Sequence, residues 1–215
     1  SWNKWTTVGL IVIGLVLSLV LIGLPLVGIY AFEAMPYIKD DFVVGNLQAA
    51  VQWAGWEWMT GLGYLVALVL AVRWLSFSSQ KSYHSRGAFF LFVTTAICIF
   101  SYSVIIVPKI EQYVQGAPLD FYQSKVGQDV YVSTVGFKSY AHLFYFDKQP
   151  CQNPRCTDEN WLLNGEVDKP TYFVTKITEA GNYRNHPNLQ WIKEENGFVF
   201  FRRKPDYQKI SESLK

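Results

Sequence analysis

Residues 5–32 read WTTVGLIVIGLVLSLVLIGLPLVGIYAF, a run of 28 residues without Asp, Glu, Lys or Arg. A second uncharged run, of 22 residues, extends from Gly87 to Pro108. The hydrocarbon core of a bilayer requires about 20 apolar residues in a helix, and buried helices of soluble proteins usually keep a polar stripe. The two runs therefore predict two helices that span a membrane, at about residues 7–30 and 87–108.

A third apolar stretch follows the sequence WAGWEWMTG at residues 53–61. It is shorter, because only 15 uncharged residues separate Glu57 from Arg73. Trp74 and its neighbours extend the stretch if Arg73 directs its guanidinium group to the interface. Tryptophans at both ends are typical of the aromatic belts that flank spanning helices. We therefore expect a third span at about residues 57–77, with Glu57 at its boundary.

The two loops between these spans differ in charge. Counted with Glu57, the loop at 31–56 carries four acids and one lysine, whereas the loop at 78–86, counted with Arg73, carries three basic residues and no acid. Short loops rich in Lys and Arg stay in the cytoplasm. The sequence thus predicts a cytoplasmic loop at 78–86, an outer loop at 31–56 and an exported segment at 109–215.

The first apolar run is not typical of a signal peptide. It exceeds the usual apolar region of about 7–15 residues, and no small-residue cleavage site follows it. The chain begins SWNKW, without Met. We expect it to be a piece of a longer polypeptide.

The exported segment has the patterns of a small α+β (α/β layer) domain. Strand-like alternation occurs at residues 129–134 and 171–177, and the segment 189–203 is typical of a β-hairpin that turns at Asn196-Gly197. Helices are expected at 139–146, at 118–126 opened by Pro118, and at 157–165 capped by Thr157. We also expect residues 45–55 to lie along the membrane interface as an amphipathic segment.

Charge and cysteine content narrow the function classes. Residues 109–215 hold 14 Lys plus Arg and 13 Asp plus Glu, which gives no support for a nucleic-acid partner. Cys151 and Cys156 stand four residues apart in an exported loop, where a local disulfide is favoured over half of a metal site. Cys98 lies in a predicted span and is expected to stay a free, apolar thiol. No metal site is predicted.

Few residues qualify as members of a functional site, since the sequence has no phosphate-binding glycine loop, nucleophile elbow or zinc motif. Glu57 either orients a polar group at the membrane surface or is a solvated residue at a helix start. Lys138, Tyr140 and His142 offer a cation, a phenol and an imidazole within five positions. They line a substrate site, or they are respectively a solvated, a packed and a hydrogen-bonded side chain.

Three segments together resemble a known family. They are SVIIVPKIEQYVQGAPLDFY at 103–122, DVYVSTVGFKSYAHLFYF at 129–146 and EVDKPTYFVTKI at 166–177. Their order resembles the carboxy-terminal end of bacterial integral-membrane glycosyltransferases of family 39. These are GT-C enzymes related to aminoarabinose transferase and to protein O-mannosyltransferases. In them the last three spans lead into a small periplasmic domain, so the chain resembles about the final third of such an enzyme.

The resemblance implies an activity and a location. Such enzymes are multi-pass proteins of the bacterial cytoplasmic (inner) membrane. They move a sugar from a polyprenyl-phosphate donor to a lipid or protein acceptor on the periplasmic side. Their catalytic carboxylate lies in the first periplasmic loop, so no catalytic residue is expected in this piece, and the missing amino-terminal transmembrane half would complete the site. No cofactor is expected here beyond the donor itself.

A non-enzymatic function is the alternative. The same layout suits a membrane-anchored periplasmic binding or assembly module. Further spans upstream, with an acidic residue in the first outer loop, would favour the transferase, whereas a start codon just before Ser1 would favour the anchored module.

Overall fold

A computed structural model describes residues 4–77, 81–151 and 153–205 of the chain. The chain divides into two compact units. The helical unit comprises Ser1–Ala34 and Ala50–Glu111, and the α/β unit comprises Met35–Ala49 and Gln112–Lys215. The division differs from the predicted one at residue 108. The second unit begins at Gln112, and it also contains part of the predicted outer loop, Met35–Ala49.

The helical unit is built from α1 (Lys4–Ile29), the short α2 (Ala31–Ala34), α4 (Met59–Phe77) and α5 (Lys81–Ile105). Two helices are long and apolar enough to cross a membrane, Trp5–Ile29 and the 39-residue helix Ser85–Gln123. The apolar part of α4, Met59–Leu75, is shorter. Two of the three predicted spans thus correspond to helices of sufficient length, and crossing by α4 stays a prediction.

Small residues bring α4 close to α1. A methyl group added at Gly61 would lie 2.7 Å from the Ile22 backbone nitrogen, and one added at Gly14 would lie 2.6 Å from the Leu68 side chain. Glycine at helix crossings is the usual means by which membrane helices approach closely. Tyr64 and Leu68 of α4 are buried in the core of this unit, together with Leu21, Ala71 and Leu91.

The α/β unit contains a four-stranded mixed sheet in the order β1-β2-β4-β3, which confirms the predicted small domain. The strands are β1 (Tyr131–Thr134), β2 (Thr171–Lys176), β3 (Leu189–Glu195) and β4 (Phe198–Arg203). β1 and β2 are parallel, whereas β4 pairs antiparallel with both β2 and β3. β1 is therefore an edge strand.

The β3–β4 hairpin turns at Asn196-Gly197, as expected from the sequence. Both residues have positive φ, 46° for Asn196 and 77° for Gly197. Two-residue hairpin turns need such angles to match the twist of the strands, and Asn followed by Gly adopts them at little cost.

Each face of the sheet packs against helices. The remaining helices of the unit are α3 (Asp41–Leu47), α6 (Val107–Gln123), α7 (Ala141–Tyr145), α8 (Glu159–Asn164) and α9 (Gly181–Arg184), with a 3₁₀ turn at Met35–Tyr37. β4 alternates between two cores, because Val199 and Phe201 pack with Trp161 of α8, whereas Phe198 and Phe200 pack with Phe121 of α6.

The helix α3 is held against the hairpin. Asp40 caps its first turn by accepting hydrogen bonds from the amides of Phe42 and Val43 at 2.9 and 3.1 Å. The Phe42 ring packs edge-on against Phe198 with centroids 5.3 Å apart. Because α3 ends at Leu47, residues 45–55 do not form one amphipathic helix, and their placement along a membrane interface stays a prediction.

Two helix starts also differ from expectation. Asp158, not Thr157, caps α8, because its carboxylate accepts the amides of Asn160 and Trp161 at 3.0 and 3.2 Å. Pro118 does not open a helix but lies inside α6. Proline costs a helix one hydrogen bond, and burial of the α6 face that carries Tyr113, Ala117 and Phe121 offsets that loss.

Candidate functional site

Glu57 forms a buried ion pair in the helical unit. Its side chain has 0% exposure, and its Oε1 atom lies 2.6 Å from Nζ of Lys109. The amide of Ala54 donates to the same oxygen at 2.8 Å. Glu57 lies two residues before α4 and is buried, so the interpretation as a solvated residue is wrong, whereas its place at a membrane boundary stays a prediction.

Lys109 is held by more than the carboxylate. Its ammonium group donates to the carbonyl of Gln52 at 2.7 Å and lies 5.0 Å from the centroid of the Trp53 ring. The sequence contained a signal for this partner. Lys109 is the first charge after the run that ends at Pro108, and antiparallel neighbouring helices would bring it to the same end as Glu57.

The other three predicted residues lie together in the α/β unit. Lys138, Tyr140 and His142 line a cavity of about 460 Å³, which we call the α7 cleft. Its walls are β1, the β1–α7 connection, α7 and the start of α8, and its further polar residues include Lys148, Glu159 and Tyr183. Glu57 belongs to the other unit, so its role in a shared substrate site stays a prediction.

His142 is a buried, neutral member of the cleft. Its side chain is 9% exposed, and Nδ1 has no hydrogen-bond partner among the described residues. Burial lowers the pKa of His142 to about 4, assisted by the charge of Lys148 and opposed by a hydrogen bond to the Ser139 backbone. The imidazole therefore carries no charge near pH 7. Its ring packs edge-on against that of Tyr122, with centroids 6.1 Å apart.

A helix-terminating turn carries Lys148 back to the cleft. The amide of Asp147 bonds to the carbonyl of Phe144 at 3.1 Å, and that of Lys148 to the carbonyl of Leu143 at 3.1 Å. With Asp147 at φ 51°, this is the Schellman pattern of helix ends. Glycine usually occupies that position, so the sequence, which has Asp there, gave no signal for Lys148.

The cleft has an excess of cationic groups. Within the described ranges, neither Lys138 nor Lys148 forms an ion pair, and Glu159 is the acidic residue of the lining. Burial lowers the pKa of Lys148 and raises the pKa of Glu159, so desolvation disfavours the charged form of each. A bound anion would favour the charged form of Lys148. The side chains of the α7 cleft therefore favour binding of a ligand that carries an anionic group flanked by hydroxyl groups.

A second cavity, of about 330 Å³, lies beside the cleft along β1. Its lining includes Lys148 and Asp147, while Lys169 pairs with Asp129 at 2.5 Å and the Tyr131 hydroxyl donates to Asp168 at 3.0 Å. Burial, and then Asp168, raise the pKa of Tyr131 to about 12. Because Lys169 and Tyr131 are already engaged and Lys148 is shared with the α7 cleft, this cavity is the weaker candidate for a charged ligand.

Cys151 and Cys156 are joined in a disulfide that closes the loop between α7 and α8. Cys98 is a free thiol. In the part of the chain that the structure describes, no group of three His, Cys, Asp or Glu side chains is placed to hold a metal ion.

The state of His142 makes stability depend on pH. An unfolded histidine titrates near pH 6.5 and the folded one near pH 4, so between these values the unfolded chain binds more protons. We expect the free energy of unfolding of the α/β unit to fall by about 2 kcal/mol from pH 7 to pH 4.5 through this residue. Amide hydrogen exchange of β4 should show the slope, and His142→Leu should reduce it. An undiminished slope in the variant would contradict the assignment.

Comparisons with protein-family models, with curated proteins and with solved structures found no match to this chain.

Proposed function

We propose that this chain is the carboxy-terminal part of a membrane glycosyltransferase that takes a sugar from a polyprenyl-phosphate donor. The acceptor is a lipid or a protein on the periplasmic side of the bacterial inner membrane. The proposal includes three spans, with α4 as the third, and an exported α/β unit. It rests on the sequence resemblance together with the features of the two units.

The helical unit supports membrane insertion. The helices Trp5–Ile29 and Ser85–Gln123 have sufficient length and composition, and large apolar side chains such as Ile13, Phe92 and Phe100 are exposed on their surfaces. A soluble helix of this composition would be buried within its protein. Lipid is therefore the solvent that suits these faces.

The observation that carries the transferase proposal is the pair of lysines in the α7 cleft, neither of which forms an ion pair with another described residue. Lys138 and Lys148 provide positive charge, and Tyr140 provides a hydroxyl beside them. In transfer from a polyprenyl phosphate, the bond from the anomeric carbon to the phosphate oxygen breaks and negative charge accumulates on the leaving phosphate. Fixed cations that offset such charge lower the activation barrier.

The roles of the remaining residues follow from their surroundings. His142 is neutral and its Nδ1 is buried, so we assign it to positioning the cleft wall. The Glu57 carboxylate already accepts hydrogen bonds from Lys109 and from the Ala54 amide. We therefore assign Glu57 to holding Lys109 in position and not to direct contact with the donor. A catalytic base is assigned to none of these residues.

Transfer kinetics of the longer polypeptide test the proposal. We expect Lys138→Ala and Lys148→Ala each to lower kcat/KM at least about tenfold, or about 1.4 kcal/mol of transition-state stabilisation. His142→Ala should have a smaller effect. Lys193→Ala is the matched control, because Lys193 is half-exposed on β3, outside the cleft, and pairs with Glu195. Protein levels should be unchanged.

Two outcomes would contradict the proposal. Wild-type kinetics in both cleft variants would remove the cleft from the reaction. If the wild-type polypeptide transfers no sugar from any polyprenyl-phosphate donor, the membrane-anchored binding or assembly module becomes the better description.

A further inference from the structure

The short helix α7 carries an exposed apolar surface. Tyr140, Leu143 and Phe144 are 65%, 39% and 79% exposed, and we call these three residues the α7 patch. The Phe144 ring packs edge-on against Tyr145 on one side, with centroids 5.2 Å apart at 84°. Adjacent exposed aromatic side chains of this size mark interaction surfaces more often than plain solvent-facing ones.

The charge around the patch is positive. From Lys138 to Lys148 the chain carries two lysines, Lys138 and Lys148, and one acid, Asp147, whereas His142 is neutral. The Lys138 ammonium group lies 5.5 Å from the centroid of the Tyr140 ring. Aromatic rings beside a lysine suit the headgroup region of a bilayer, where the rings enter the acyl boundary and the ammonium group meets lipid phosphates.

Chain connectivity favours lipid over a soluble partner. The helix Ser85–Gln123 can cross a membrane, and the α/β unit begins within it at Gln112. A domain tethered in this way meets the bilayer at high effective concentration, so even a small patch gains from docking. Each lysine near an anionic leaflet adds to the attraction.

We propose that the α7 patch, with Lys138, docks on the surface of an anionic membrane. Tyr140 and Leu143 also line the α7 cleft, so docking would place the cleft entrance at the level of the lipid headgroups. The inference rests on the membrane-inserted part of the proposed function and not on sugar transfer.

Spin-label depth measurements on the full chain in nanodiscs test this docking. Cys98→Ser removes the free thiol of the described residues, and Phe144→Cys then carries a nitroxide. Trp191→Cys is the matched control, because Trp191 is an aromatic residue 55% exposed on β3 and outside the patch. Collision rates with oxygen and with a water-soluble nickel chelate are compared in discs containing phosphatidylglycerol.

At position 144 we expect collisions with oxygen to exceed those with nickel, and at position 191 the reverse. Adding Lys138→Glu should move the ratio at position 144 toward that at position 191. The proposal is overturned if position 144 is as accessible to nickel as position 191. It is equally overturned if position 144 is shielded from both reagents, which would indicate a protein partner.

Sugar transfer is assayed separately, on the longer polypeptide in the same nanodiscs. Loss of transfer with lipid contact retained would implicate the proposed function alone. If the enzyme transfers sugar but position 144 is exposed to water, only the docking proposal is rejected.

Discussion

Lys109→Ala is expected to lower the free energy of unfolding of the helical unit by about 3 kcal/mol. The variant leaves the Glu57 carboxylate, which is 0% exposed in the wild type, with hydrogen bonds from backbone amides alone, and Oε2 has no partner among the described residues. A buried carboxylate without its counter-ion is costly. Thermal unfolding in detergent, followed by loss of the folded fraction, measures the effect.

The matched variant Glu57→Gln should cost less. It removes the negative charge, and Lys109, which is 21% exposed, keeps the Gln52 carbonyl and can reach water. The double variant should lose less stability than the sum of the losses in the two single variants, because the second change removes a group that is already unpaired. Additive losses, or a Lys109→Ala variant as stable as wild type, would show that the pair does not stabilise this unit.

Gly45→Val is expected to destabilise the α/β unit by about 3 kcal/mol. A methyl group at this position would lie 2.6 Å from the Gly197 Cα atom and 2.7 Å from its nitrogen. Both atoms belong to backbone of the β3–β4 turn, so α3 must move away from the hairpin. Amide hydrogen exchange at Phe198 and Val199, beside the turn, should report the loss.

Gly181→Val is the control for this change. Gly181 begins α9 in the same unit, and nothing lies within 4 Å of a methyl group added there. The control also replaces a helical glycine by valine, but without the collision with backbone. Its free energy of unfolding should therefore stay within about 0.5 kcal/mol of the wild-type value. Equal effects of the two variants would show that the contact between Gly45 and Gly197 is not tight.

The features that sequence predicted well are local ones. The uncharged runs predict the two long helices, because an apolar segment of bilayer length has few stable structures other than a helix. The hairpin at Asn196-Gly197 follows from the φ angles that these two residue types tolerate. The clustering of Lys138, Tyr140 and His142 follows from their closeness along the chain.

The features that sequence did not reveal depend on contacts between distant residues. Glu57 and Lys109 are 52 positions apart, and pairing them requires the antiparallel packing of helices. Lys148 reaches the cleft through a left-handed turn at Asp147, a residue that does not demand that conformation. Pro118 was misplaced because local propensity favours a helix start, whereas burial of the α6 face decides the outcome.

The packing of α3 on the hairpin also constrains how often the chain can cross a membrane. Residues 35–49 and 112–215 form one compact unit, so both segments lie on the same side of any bilayer. The chain that joins them, residues 50–111, must then cross an even number of times, and it contains α4 and α5. If α5 crosses, α4 must cross as well, whatever its length. In that case the even number of crossings requires α4 to span the bilayer although it is short. We then expect the bilayer to be thinner around α4.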